Sequence, residues 1–212
     1  MLALLITTTG LVAPNTFADW FDINPAFDAT NDVGTIRLEG AADYGEKWSH
    51  YGFIDFSGSP MDEWDLDNLF MEQTLRYSLR DLGTGWENAS VALEVDAGTG
   101  FSDVYRFGLT WGFSLWQGNF TGVKALALAS RDDNALASLF MSQEFNEKFS
   151  MYFVFDYGFG DWIFGENQTY MEIEAEYELD DKFSLFIQGR DFRAKSDWGI
   201  DLDTIIGIKY RF

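Results

Sequence analysis

Residues 171–179 read Met-Glu-Ile-Glu-Ala-Glu-Tyr-Glu-Leu, so an apolar side chain and a carboxylate alternate without a break. A period of two puts Met171, Ile173, Ala175, Tyr177 and Leu179 on one face of a strand and Glu172, Glu174, Glu176 and Glu178 on the other. A helix would mix the two sets around its circumference. Such a segment folds only where one face meets an apolar medium and the other meets water. Strands of the same design follow at Phe183–Ile187 and Thr204–Phe212, and precede it at Phe149–Tyr157, Tyr105–Phe113, Ala89–Val95 and Leu69–Arg80. Weaker copies occupy 33–43, 49–57, 119–130 and 134–145.

A soluble sandwich also alternates, but its strands usually run five or six residues. These run about eleven, the length that crosses a bilayer at a tilt of about 45°. The apolar stripes are large and aromatic and end in Tyr, Phe or Trp, where an interfacial girdle belongs. Their partners include charges that a sandwich core would not bury. The expected fold is therefore all-β, a transmembrane antiparallel β-barrel in the outer membrane of a Gram-negative cell.

Composition narrows the function. The chain of 212 residues has 35 Asp and Glu against 14 Lys and Arg, a net charge of −21, which leaves no basic face for nucleic acid. With 18% aromatic residues it is no disordered acidic tail. There is no cysteine and a single histidine, His50, so disulfides, thiol catalysis and a His-based metal cluster are excluded and no cofactor is expected. The Glu172–Glu178 run is not a calcium site by itself, because alternate residues on one strand stand about 7 Å apart. It is expected to be a solvated face. Leu2–Ala13 is apolar, and Thr16-Phe17-Ala18 places small residues before Asp19, so residues 1–18 are expected to be a secretory signal and 19–212 one barrel domain.

Connection lengths set the strand count. Short turns at Leu179–Lys182, Asn146–Lys148 and Trp116–Gly118 alternate with long connections at Phe159–Asn167, Ala97–Asp103 and Ser57–Asp67, with one short exception near Arg131–Asn134. With Phe212 in the periplasm, an even count needs an ascending strand before 33–43, and Trp20–Ala29 is the candidate despite Pro25. Twelve strands are expected, with ten as the alternative.

Tyr51-Gly52-Phe53-Ile54-Asp55-Phe56, preceded by Ile36-Arg37-Leu38-Glu39-Gly40 and followed by a long loop and the Leu69–Arg80 strand, resembles the opening of the Tsx/OmpK family of nucleoside-specific outer-membrane channels. The closing Gly207-Ile208-Lys209-Tyr210-Arg211-Phe212 is similar to that family's last strand. The resemblance implies a twelve-stranded monomeric barrel that passes nucleosides by diffusion. A barrel of that size leaves a slot about as wide as a nucleobase.

The inward face then carries the chemistry. The charged set there is Asp55, Glu72, Glu94, Asp96, Asp156, Glu172, Glu174, Glu176, Arg76, Arg80, Arg106, Arg190, Lys209 and Arg211. The aromatic set is Tyr51, Phe53, Phe70, Tyr152, Tyr170 and Phe186, whose rings suit stacking on a base or sugar. The candidate solute-binding residues are Tyr51, Phe53, Asp55, Phe70, Glu72, Arg76, Arg106, Tyr152, Tyr170, Glu172, Glu174, Phe186 and Arg190. Expected partners are outer-membrane lipid and lipopolysaccharide, a small nucleoside-like solute, and the barrel-assembly machinery through Phe212. The alternatives are a structural, adhesion or phage-receptor barrel with a closed lumen and, further off, a lipid-modifying enzyme. The last would need a serine from a neighbouring strand, because Ser49 and His50 point to opposite faces of theirs.

Overall fold

Alternating segments of this length can satisfy their backbone inside a membrane only by pairing in a closed ring. That is the arrangement in a computed structural model of the chain, which describes residues 20–58, 68–100, 103–128, 135–159, 161–162, 165–166, 168–194 and 202–212. The expected signal at 1–18 lies outside the described residues. The strands are β1 (Trp20–Asp28), β2 (Val33–Tyr44), β3 (Trp48–Gly58), β4 (Asn68–Ser78), β5 (Ala89–Gly98), β6 (Val104–Phe113), β7 (Asn119–Leu128), β8 (Leu136–Glu144), β9 (Phe149–Gly158), β10 (Asp161–Trp162), β11 (Gly165–Glu166), β12 (Gln168–Glu178), β13 (Phe183–Ala194) and β14 (Asp203–Arg211). Twelve of them form a closed barrel in which each strand pairs antiparallel with its neighbours. The β10–β11 hairpin is a separate two-stranded sheet in the connection from β9 to β12.

Closure joins the first strand to the last, with Asp22 opposite Arg211, Ile23 opposite Tyr210 and Ala26 opposite Gly207. Pro25 sits inside β1, opposite Ile36 of β2, where the ladder to β14 is interrupted at Asn24 and Pro25. A residue without an N–H fits where a bond is already missing. Beside the closure, Phe212 donates its backbone N–H to Phe21 at 3.1 Å, so both ends of the barrel chain lie on one rim.

One expectation about the connections is corrected and one lies outside the described residues. Strand β7 is described to Leu128 and β8 from Leu136, and the short connection expected near Arg131–Asn134 falls among residues 129–134, outside the described residues. The strand over Leu69–Arg80 stops at Ser78. Its continuation is a turn of 79–88 built on a 3-10 segment, Arg80–Leu82, with Leu82 N–H bonding Leu79 O at 2.9 Å and Gly83 at φ 98°. Arg80 is thereby withdrawn from the inward set. It is exposed on the rim and pairs with Glu46 of the β2–β3 turn. Other turns are fixed by side chains that imitate a backbone carbonyl: Asp180 Oδ1 accepts from Lys182 N–H at 2.8 Å and Phe183 N–H at 2.9 Å, and Asn146 Oδ1 does the same for Lys148 and Phe149.

The outward face is a hydrocarbon-compatible belt. Phe107 is 57% exposed, Ile206 54% and Ile187 52%, values that in a soluble protein would mark an uncovered core. Aromatic pairs ring the rim that carries the chain ends: Trp48 with Tyr77, Trp86 with Trp111, Phe183 with Tyr210, and Phe21 with Phe212. His50, in register with Leu75, has its Nε2 2.8 Å from Gln73 Oε1, and both Ser49 and His50 border the cavity.

Candidate functional site: the barrel lumen

The barrel encloses a cavity of about 970 Å³. Its size is at the upper end of small-molecule pockets. Because the pleat alternates, each strand contributes every second residue to the wall. Twelve of the thirteen candidate residues line the cavity. The exception is Arg106, which is fully buried and withdrawn into the wall.

Four aromatic residues form a ladder along β1, β3 and β4. Ring centroids are 6.3 Å apart from Trp20 to Tyr51, 6.4 Å from Tyr51 to Phe53 and 5.7 Å from Phe53 to Phe70. The guanidinium of Arg37 lies 4.5 Å from the centre of the Phe53 ring and is held there by two bonds to Asp55, at 2.7 and 2.9 Å. Tyr51 and Asn24 both donate to Glu39. Trp20, Asn24, Arg37 and Glu39 were not among the sequence candidates. The signal that marks them is the β2 alternation itself, Thr35, Arg37, Glu39, Ala41 and Asp43 all lining the cavity.

Two side chains cross the lumen. Arg37 on β2 reaches Glu172 on β12 at 3.9 Å, although three strands separate them around the wall. Tyr170, which donates to Glu172, packs against the buried Ala92, Leu126 and Leu136 of β5, β7 and β8. Together they narrow the passage between the ladder and the opposite wall. Tyr152 on β9 lines the same space, and Arg190 stands opposite Glu172 on β13.

The opposite wall is an acid–base cluster. Glu72, Glu94 and Asp96 bring carboxylate oxygens within 4.8 Å of one another. The arrangement is a metal-like donor set, but Lys124 from β7 reaches Glu72 at 3.4 Å and also bonds Glu94, while Arg106 bonds Glu94 at 3.1 Å and Asp96 as well. These ammonium and guanidinium groups take the place a cation would occupy. Sequence reading missed Lys124 because β7, Asn-Phe-Thr-Gly-Val-Lys-Ala-Leu-Ala-Leu, alternates too weakly to assign faces.

The Glu172–Glu178 face is the solvated stripe expected only in its second half, where Glu176 and Glu178 are partly exposed. Glu172 and Glu174 are 4% and 7% exposed. Lys209 bridges Glu174 and Glu176, and Gln188 donates to Glu174 at 3.2 Å. Strand β14, on the far side of β13 from β12, brings its cation to the face, which a single strand's sequence does not show. Phe186 lies flat over Gly207, a position where a Cβ would collide with the ring, and Phe140 covers Gly122 in the same way. Glycine at these two places lets bulky inward rings lie along the wall instead of filling the passage. Arg76 lines the cavity in register with Ser49, away from both clusters.

No family model and no curated protein matches the chain. Solved structures do. The chain is similar to the KdgM porin at TM-score 0.61 and 10% identity, covering 91% of this chain and 99% of that one, and to the same porin in complex with disordered oligogalacturonate at 0.60. It is similar to the NanC porin at 0.56 and 9% identity, over 90% and 97% of the two chains. An outer membrane channel from Pseudomonas putida F1 matches at 0.51 and 12% identity, over 94% and 96%. At such identities the likeness establishes the fold, a closed twelve-stranded barrel of the outer-membrane porin kind.

Proposed function

We propose that the chain is a passive outer-membrane channel for small, ring-bearing polar solutes of the nucleoside kind. The observation that carries this reading is the ladder Trp20, Tyr51, Phe53 and Phe70, running along the lumen beside hydrogen-bonding carboxylates and Arg37. Flat faces bind bases and sugar rings by stacking, and the polar groups beside them satisfy hydroxyls. Repeated weak contacts of this sort hold a solute long enough to select it and release it readily. The resemblance of Tyr51–Phe56 to nucleoside channels points to the same solute class. The barrel is read as a monomer embedded in lipid and lipopolysaccharide, with Phe212 presented to the assembly machinery.

The test is single-channel recording of the refolded chain in planar bilayers, with adenosine or thymidine added and glucose as control. Current steps blocked by nucleoside and not by glucose support the reading. The Tyr51→Ala, Phe53→Ala double variant should then need about tenfold more nucleoside for half block, because one stacked base contributes about 1–3 kcal/mol. Steps that no nucleoside affects would leave a channel of another specificity. A folded barrel without steps would favour an attachment role.

A further inference from the structure

Four basic side chains of the barrel interior are shared rather than paired. Arg37 lies between Asp55 at 2.7 Å and Glu172 at 3.9 Å, Lys209 between Glu174 and Glu176, Lys124 between Glu72 and Glu94, and Arg106 between Glu94 and Asp96. Four cations thus serve seven carboxylates. The wider lining repeats the imbalance, with ten carboxylates to six Lys and Arg around the cavity. Glu39 and Asp43, which line it too, have no ion pair among the described residues.

We propose that the lumen is a cation-preferring passage, which admits neutral and cationic solutes and rejects anionic ones of the same size. This rests on the channel reading and specifies its solute class. Arg37 and Lys209 each leave one of two carboxylates uncompensated, and Lys124 and Arg106 together leave one of three, so the shared sites keep three net negative charges. Low-dielectric walls concentrate the resulting field along the axis. The missing counter-ions come from the solution, and those mobile cations carry the current. An anion must cross the same field: Arg37 and Lys209 are already engaged on both sides, and Arg76 and Arg190, which also line the cavity, are outweighed by its ten carboxylates. Acidic saccharides such as the oligogalacturonate found with the similar KdgM porin are therefore poor solutes for this barrel.

The structure also supplies the variant that tests the idea. Glu72→Gln, Glu172→Gln and Glu176→Gln together remove the second carboxylate at three shared sites. Arg37 keeps Asp55, Lys124 keeps Glu94, Lys209 keeps Glu174, and no basic group is stranded. The measurement is the reversal potential of the refolded full chain across a KCl gradient, followed by substitution of benzylammonium for K⁺ and benzoate for Cl⁻. The expected result is a K⁺ over Cl⁻ preference of about tenfold, measurable benzylammonium current and negligible benzoate current. In the triple amide variant the preference should fall toward unity. Each preparation is checked for folding by its heat-modifiable gel shift; if the triple variant misfolds, the single Glu176→Gln barrel should show a smaller fall in the same direction. Steps with no ion preference, or with an anion preference, overturn this inference and leave the channel reading intact. A folded barrel with no steps overturns both.

Discussion

Arg106 shows what a single buried residue does in this wall. Its guanidinium is fully enclosed and bonds Glu94 and Asp96, themselves almost fully buried. Removing it leaves two carboxylates without their shared partner, and loss of one member of a buried ion network costs about 3–5 kcal/mol. Arg106→Ala should therefore lower the urea midpoint of the barrel in detergent sharply, whereas Arg76→Ala, away from both clusters, should shift it little. Gly122 gives a second residue-scale prediction. A Cβ there would overlap the Phe140 ring, so Gly122→Ala must swing that ring off the wall and into the passage. The expected result is a smaller single-channel conductance from a barrel that still folds. Alternation in β6 gave the inward direction of Arg106. Its enclosure depends on Glu94, Asp96 and their neighbours across two strand pairings, and no single strand carries that information.

At the level of elements, the turns are set by local chemistry and the strands by what faces them. The β2–β3 and β4–β5 turns meet on one rim, where Lys47 and Asp81 form an ion pair. The hydrogen bond and charge of Lys47 hold the Asp81 carboxyl below its usual range, and Asp81 in turn raises Lys47. A depressed carboxylate contributes stability above its unfolded range and loses it as the pH falls through the folded value. The pair is exposed to water, so that contribution is small. Asp81→Asn should leave the unfolding midpoint unchanged at pH 7; a loss at pH 7 that disappears on acidification would show the pair to matter. The β10–β11 hairpin stands outside the barrel sheet, so replacing 160–167 with a short Gly-Ser link should leave a barrel with the same heat-modifiable shift. Strand β12 makes the complementary point. Its Glu run is unmistakable in sequence, yet Arg37 and Lys209 turn the Glu172 and Glu174 part of an expected wet stripe into a paired, buried one.

Across the whole molecule, the passage is set by contacts that span it. Tyr170 packs on the far wall and Arg37 meets Glu172 from a non-adjacent strand. Tyr170→Ala should enlarge the single-channel conductance and leave the fold unchanged, because the ring fills lumen and not the strand pairing; an unchanged conductance would place the narrowest point elsewhere. The barrel's closure, with Asp22 opposite Arg211, is equally global, joining residues 189 apart in the chain.

The sequence by itself determined the barrel. Period two, strand length, aromatic ends and turn spacing are local properties, and a bilayer admits few ways to satisfy such strands, so the count of twelve and the facing of Tyr51, Phe53, Phe70, Glu72 and Glu172 were legible. Where alternation faded, in β7, so did the reading, and Lys124 went unseen. Tertiary structure alone decided which inward groups meet. Charge sharing by Arg37, Lys124, Arg106 and Lys209, the flattening of Phe186 and Phe140 over glycines, and the narrowing by Tyr170 all depend on distances between different strands. Those distances are fixed by closure and register, which arise only when the whole ring has formed.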